Sequence, residues 1–220
     1  MSVDYSSLAK KIAEDISKQI IIGELKPGDK LVEKSYAEYY GTSRAPVREA
    51  IYLLTTEGLL KRIPRRGAVV KKYTNRDIFD LLIIRNMLEN LAVERLDKVE
   101  LNPLILEEMK NIIQSMHVED AIFSYTKLNY AFHLCLVKLS GSNPVIETYS
   151  RLGAPLLRIQ NLSFTQEGNV KKSIEEHKEI YQLLTSGNIT DLKILLSSHN
   201  DHVISSIQKI LTDTDDWSGI

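Results

Sequence analysis

Apolar side chains recur at helical spacing through most of this 220-residue chain, and the period changes to that of strands between residues 59 and 71. A spacing of i, i+3, i+4 lines one face of a helix, whereas strict alternation marks a half-buried strand. Leu8, Ile12, Ile16 and Ile20 set out a first helix, which Gly23 ends. Lys26-Pro27-Gly28-Asp29 reads as a turn. A short helix fits residues 33–40 and stops at Gly41. The next starts from Ser43 as N-cap and carries Pro46 in its first turn, where a missing N–H costs least; Gly58 ends it. Residues 59–62 and 68–71 then read as two short strands around Ile63-Pro64-Arg65-Arg66-Gly67.

From Thr74 onward every segment reads as helix. The expected spans are 75–98, 102–116 opened by Asn102-Pro103, 119–140 stopped by Gly141, a helix opened by Asn143-Pro144, and 191–211. Ser173 and Glu176 have the spacing of a capping box, which predicts a helix start at Ser173 and a stop at Gly187. Gly153 and Pro155 should bend or break their helix, and residues 212–220 should fray. The fold class is therefore mainly α: a winged helix-turn-helix of three helices and a two-stranded wing over residues 1–73, followed by an all-helical unit over 74–220.

Composition limits the alternatives. Apolar residues are 43% of the chain, enough for a core, and the longest apolar run, 50–54, is far short of the roughly twenty residues a membrane helix needs. The first 30 residues carry Asp4, Glu14, Asp15, Glu24 and Asp29 and no apolar block, so no secretory signal or membrane association is expected. Cys135 is the one cysteine, which excludes an intrachain disulfide and a cysteine-based zinc finger and suits a cytoplasmic setting. Net charge is only −1, yet half of the 28 basic residues and just nine of the 29 acids fall within the first 74 positions. A basic front and an acidic back suggest units with different partners.

The front unit has the arrangement a DNA reader needs. In the third helix Val47, Ala50, Ile51 and Leu54 face inward, while Arg44 and Arg48 lie one turn apart on another side, near the positive helix N-terminus. Such arginines reach phosphates or the O6/N7 edge of guanine, and first-turn N–H groups hold a phosphate. Ser43 adds a short hydroxyl there, and Arg65 and Arg66 at the wing tip reach an adjacent groove or backbone. The plainer alternative is a set of ordinary surface arginines, with Glu49 and Glu57 nearby.

The run Leu31-Val32-Glu33-Lys34, then Gly41-Thr42-Ser43-Arg44-Ala45-Pro46-Val47-Arg48-Glu49-Ala50, Glu57-Gly58-Leu59-Leu60 and Arg66-Gly67-Ala68-Val69-Val70 resembles the GntR family of bacterial transcription regulators. The helical remainder resembles its FadR-like subgroup, whose FCD-type effector domain is a bundle of six or seven helices. The resemblance implies that Lys34, Ser43, Arg44, Pro46, Arg48 and Gly67 approach DNA. Many members have Arg where this chain has Lys34, which keeps the charge and loses the bidentate fork.

The rear unit places polar residues on apolar stripes. Asn129 and His133 lie within the face made by Ile122, Tyr125, Phe132 and Leu136. His177 shares a face with Ile174, Tyr181 and Leu184, and His199 sits among Leu192, Leu195, Leu196 and Val203. Three inward imidazoles and one oxygen ligand suit a divalent transition metal, zinc or nickel; three separately satisfied core histidines are the alternative. The resemblance implies the same four positions as metal ligands, with Asp or Asn at the first. His202, at a stripe edge, and His117, in a loop, read as non-ligands. Arg85 lies in the centre of the face formed by Ile78, Leu81, Leu82, Leu88 and Ala92, so it needs an anion: Glu89 one turn on, or the carboxylate of a small effector. The resulting expectation is a homodimeric regulator, more often a repressor, on palindromic double-stranded operator DNA, controlled by a small carboxylate metabolite. A metal-dependent hydrolase built on His133, His177 and His199, and a DNA-binding dimer without effector response, are the alternatives.

Overall fold

The computed structural model describes residues 5–64 and 67–212. Arg65 and Arg66, and the expectation of fraying over 213–220, lie outside the described residues. The chain divides into two compact units, with the break between Thr74 and Asn75. Among the described residues no helix is long and apolar enough to cross a membrane.

The first unit contains α1 (Tyr5–Ile21), β1 (Lys30–Leu31), α2 (Glu33–Tyr39), α3 (Arg44–Thr56), β2 (Leu60–Ile63) and β3 (Gly67–Val70). The stripe Ile12, Ile16 and Ile20 of α1 is buried and packs on α3, whose Val47, Ala50, Ile51 and Leu54 are buried in turn. Each such aliphatic side chain contributes roughly 1.5–3 kcal/mol by leaving water. The wing is a hairpin of β2 and β3, with Leu60 opposite Val70 and Ile63 opposite Gly67. It is also more than the two strands expected. β1 pairs antiparallel with β3, Leu31 opposite Ala68, giving a sheet of order β1-β3-β2. Two residues are too few to show an alternating pattern, so this strand leaves no periodic trace in the sequence.

The second unit contains α4 (Asn75–Glu94), a 3-10 turn (Leu96–Lys98), α5 (Pro103–Gln114), α6 (Ile122–Leu139), α7 (Asn143–Arg151), α8 (Gly153–Ser163), α9 (Asn169–Thr185) and α10 (Ile189–Thr212). That makes seven α-helices among the described residues. Asn102 caps α5, its side chain accepting from Leu104 N–H at 2.9 Å. The break at Gly153 and Pro155 is real: α7 ends and α8 begins there, where a Cβ on Gly153 would collide with the Tyr130 ring. Helices α4, α6, α8 and α10 pack on one another, with α9 against α10 and α5. The main core gathers Phe132, Leu136, Ile180, Leu184, Leu192 and Leu196, among others.

The capping-box reading is wrong. α9 starts at Asn169, after Gly168 in the left-handed region at φ 81°, so Ser173 lies inside the helix with its side chain buried. The S-x-x-E spacing is also the spacing of one helical turn, and here it serves a different purpose.

Gly67 has φ +89°, and a Cβ built on it would run into the Leu31 carbonyl oxygen of β1. Gly67→Ala should therefore cost about 1–3 kcal/mol from the backbone region alone, with further loss from the clash. Urea unfolding of the two proteins measures it, and equal midpoints would contradict the close approach.

Candidate functional site

Two clusters of polar side chains stand out, one in each unit. In the first, Lys34, Arg44, Arg62 and Gly67 line an open cleft with Val32, Glu33, Ile63 and Pro64. The start of α2, the start of α3 and the wing thus present three cations to one space. Arg62 was not singled out from the sequence; its place in β2 opposite Ala68 brings it there. Ser43 occupies the N-cap position of α3 but its side chain makes no capping hydrogen bond, leaving the hydroxyl exposed. Pro46 is buried, so it shapes the first turn of α3 and its ring does not offer a contact surface. Lys34 lies 3.9 Å from Glu38 on the surface, a pair of little energetic weight.

Arg48 is not free. Its Nε donates to both Glu33 oxygens at 3.1 Å, and its Nη2 donates to Glu33 Oε2 at 2.9 Å. The hydrogen bond from Arg48, opposed by desolvation and helped by the charges of Arg48, Arg62 and Arg44, holds the Glu33 carboxyl below its ordinary range. The pairing joins α2 to α3, and no spacing in the sequence points to it.

In the second unit, His133 of α6, His177 of α9 and His199 of α10 come together, all buried. His133 Nε2 lies 3.2 Å from His177 Nε2 and 3.2 Å from His199 Nε2. The Phe132 ring packs on His177 with centroids 4.3 Å apart. Asn129, one turn before His133, is buried with no hydrogen-bond partner for either amide atom. The four residues singled out from the helical faces therefore share one region only in so far as three rings meet and the fourth lies on the same face of α6.

The outward nitrogens of two rings meet carboxylates. His199 Nδ1 lies 2.7 Å from Glu176 Oε2, and His133 Nδ1 lies 3.2 Å from Glu89 Oε1. Burial raises the Glu176 carboxyl, but its hydrogen bond with His199 and the charge of that ring bring it below its ordinary value. Glu89 behaves similarly: burial opposes its charge, and Arg85 and His133 more than offset that, leaving its carboxyl well below the ordinary range. An ionised acceptor at Nδ1 of His199 requires the proton there, so its Nε2 carries a lone pair, whereas His133 Nδ1 lies near Glu89 without a hydrogen bond to it. That lone pair faces His133 Nε2 at 3.2 Å, a separation that a proton or a cation between the two nitrogens would stabilise. Zinc–nitrogen bonds of about 2.0–2.1 Å at tetrahedral angles set ligand nitrogens about 3.4 Å apart. The three rings thus have the chemistry and the spacing to hold such an ion.

Glu89 also settles Arg85. Arg85 Nε donates to Glu89 Oε1 at 2.8 Å, both side chains being buried, so the internal ion pair exists. Yet Nη1 and Nη2 of Arg85 have no hydrogen-bond partner. Tyr149 Oη donates to Glu89 Oε1 at 2.8 Å, and Asn200 Nδ2 donates to Oε2 at 2.9 Å. The sequence reading passes over Tyr149 and Asn200, and it gives Glu176 only a capping role with Ser173. Asn200 follows His199 directly on a mostly apolar face, which is the one signal that pointed to it.

The known families agree with this division. Residues 8–70 match the model of the bacterial regulatory proteins of the gntR family, and residues 80–202 match the FCD domain. The chain belongs to the GntR family, in its FCD-containing form. It is 27% identical to the HTH-type transcriptional regulator YdhC of Bacillus subtilis over 90% of both chains. It is 28% identical to the gluconate operon transcriptional repressor of Bacillus subtilis, over 66% of this chain and 64% of that protein. The solved structure of Escherichia coli McbR/YncC shares the fold, with a TM-score of 0.71 and 21% identity over 93% of this chain and 98% of that one. As a GntR-family transcriptional regulator the chain binds DNA through its helix-turn-helix, and its FCD domain is of the kind that takes a small-molecule effector.

Burial lowers the His133 imidazole from 6.5 to about 4 and His177 well below its ordinary value. The unfolded chain therefore binds protons at these rings that the folded chain refuses. Stability of the metal-free protein should fall as pH drops from about 6.5 towards about 4 at His133. His133→Gln should flatten that dependence, as followed by urea midpoints across the range; an unchanged slope would remove His133 as its source.

Proposed function

We propose that this regulator binds a two-fold symmetric operator as a homodimer. A small organic acid, bound in the helical unit beside a divalent zinc or nickel ion, sets its affinity for that DNA. The observation that carries the reading is the meeting of three imidazole Nε2 atoms, 3.2 Å apart in two of the pairs, with carboxylates at the opposite nitrogens of two rings. His133, His177 and His199 would hold the ion, and the unpartnered amide of Asn129 supplies a fourth, neutral oxygen. The ion would supply positive charge to a carboxylate oxygen of the effector. Arg85 supports the same chemistry, because its Nε is committed to Glu89 while Nη1 and Nη2 remain as donors for an anion.

The effector acts only through unequal affinity for the DNA-competent and DNA-incompetent arrangements. Arg85 and Glu89 lie on α4, the helix that directly follows the first unit in the chain, which gives an effector a short covalent route to it. Homodimer formation is supported by Ile83, Ile84, Met87 and Leu91, exposed within about 100° of the surface of α4. Repression is the proposed sign, in keeping with the gluconate operon repressor among the relatives. A hydrolytic role needs a carboxylate free to take a proton from water. Glu89 instead receives Arg85, Tyr149 and Asn200, and Glu176 receives His199.

Gel shift on the intergenic DNA beside its own gene, with light scattering of the complex, tests the DNA half of the reading. Two chains should bind per duplex, and Arg48→Ala should weaken binding by about 1–3 kcal/mol if Arg48 reads a base; unchanged affinity would take Arg48 out of the interface. His133→Ala combined with His177→Ala should abolish bound metal in elemental analysis, and retained stoichiometric metal would refute the shared centre. Arg85→Ala should abolish heat from a panel of organic acids in calorimetry while gel shifts persist. Loss of folding in that variant would instead assign Arg85 to structure alone, and no heat from the wild-type protein would mean a dimer without effector response.

A further inference from the structure

The Glu176 carboxylate on His199 is the inner end of a chain of polar side chains that runs from the histidine cluster to the surface. Glu176 Oε2 meets His199 Nδ1 at 2.7 Å, while Glu176 Oε1 lies 3.2 Å from His202 Nδ1 and 3.9 Å from Lys172 Nζ. Lys172 Nζ also lies 3.0 Å from His202 Nε2. Side-chain exposure rises outward along this chain, from 2% at His199 through 14% at Glu176 to 47% at His202. A small surface depression between α9 and α10 reaches the same groups, with Lys172, Ser173, Glu176, His199 and His202 in its wall.

The other carboxylate at the cluster is unlike it. Glu89 sits with no exposure and is fixed by side chains from α4, α7 and α10. His133 is therefore held from within the bundle, and His199 is held from its edge. A carboxylate on the far nitrogen of a metal-bound imidazole fixes its tautomer and orientation and raises its basicity, and removing one typically weakens metal binding about 10–100-fold.

We infer that Glu176 is the positioning residue of the metal centre, and that with His202 and Lys172 it forms the latch through which the ion is loaded and released, His199 being the ligand that lets go first. The inference rests on the metal reading given above. Glu176 fixes the Nε2 lone pair of His199 toward the other two rings. His202 and Lys172 keep the carboxylate from swinging out to water, and they are the groups that an outside chelator meets first.

The test uses the full chain and Zn2+ as probe, with affinity read by competition against a chromophoric chelator at fixed pH and release read after excess chelator is added. Glu176→Gln keeps the size of the side chain and removes its charge. Its zinc affinity should fall about 10–100-fold, while the urea midpoint of the chelator-treated protein stays near that of wild type. His202→Ala leaves Glu176 on His199, so its equilibrium affinity should fall far less than that of Glu176→Gln, and its release should quicken. Wild-type affinity in Glu176→Gln, or a loss of chelated-state stability without loss of zinc affinity, would overturn the positioning role. Wild-type release in His202→Ala would overturn the latch. A wild-type protein that takes up no Zn2+ would instead bring down the metal reading itself, which separates the two failures.

Discussion

Glu89 carries its charge with no access to water, and taking an ionised carboxylate out of water opposes folding unless donors replace the lost hydration. Arg85 from its own helix, Tyr149 from α7 and Asn200 from α10 supply those donors, and His133 of α6 faces the same oxygen as Arg85. Four helices are thereby bound to one side chain. Apolar packing can slide by small steps at little cost, but a buried carboxylate with named donors permits one arrangement only. The residual donors of Arg85 and the relative setting of α4 and α10 follow from it.

Much of this architecture can be read from the sequence because a helix fixes direction. Once Phe132 and Leu136 are inward, His133 must be inward too, and the same reasoning places His177 with Ile180 and Leu184, and His199 with Leu196 and Val203. Arg85 and Glu89, four residues apart on α4, are legible in the same way. What is not legible is set by contacts between elements. The Arg48–Glu33 pair joins α2 to α3, Tyr149 reaches Glu89 across sixty positions, and β1 is too short to show a period. The Ser173 and Glu176 pattern shows the opposite failure. A local rule fitted well, yet α9 begins a turn earlier, and Glu176 is spent on His199 rather than on the helix start.

The two units use charge in different ways. In the first, cations at the starts of α2 and α3 and in β2 stay exposed around a cleft, where their field acts through water and weakens with salt. In the second, Arg85 and Glu89 of α4 are removed from water and paired with each other. The net charge of −1 conceals this contrast, because it averages an exposed basic cleft with a buried ion pair.

The short strand β1 ends one residue before α2 begins, and its other edge is bonded into the wing. The wing and the pair of helices beside it are thus tied together at their base, as the arms of a caliper are tied at the pivot. With the Leu31 carbonyl seated against Gly67, any side chain at that position would have to pry the wing from β1, and so from the start of α2.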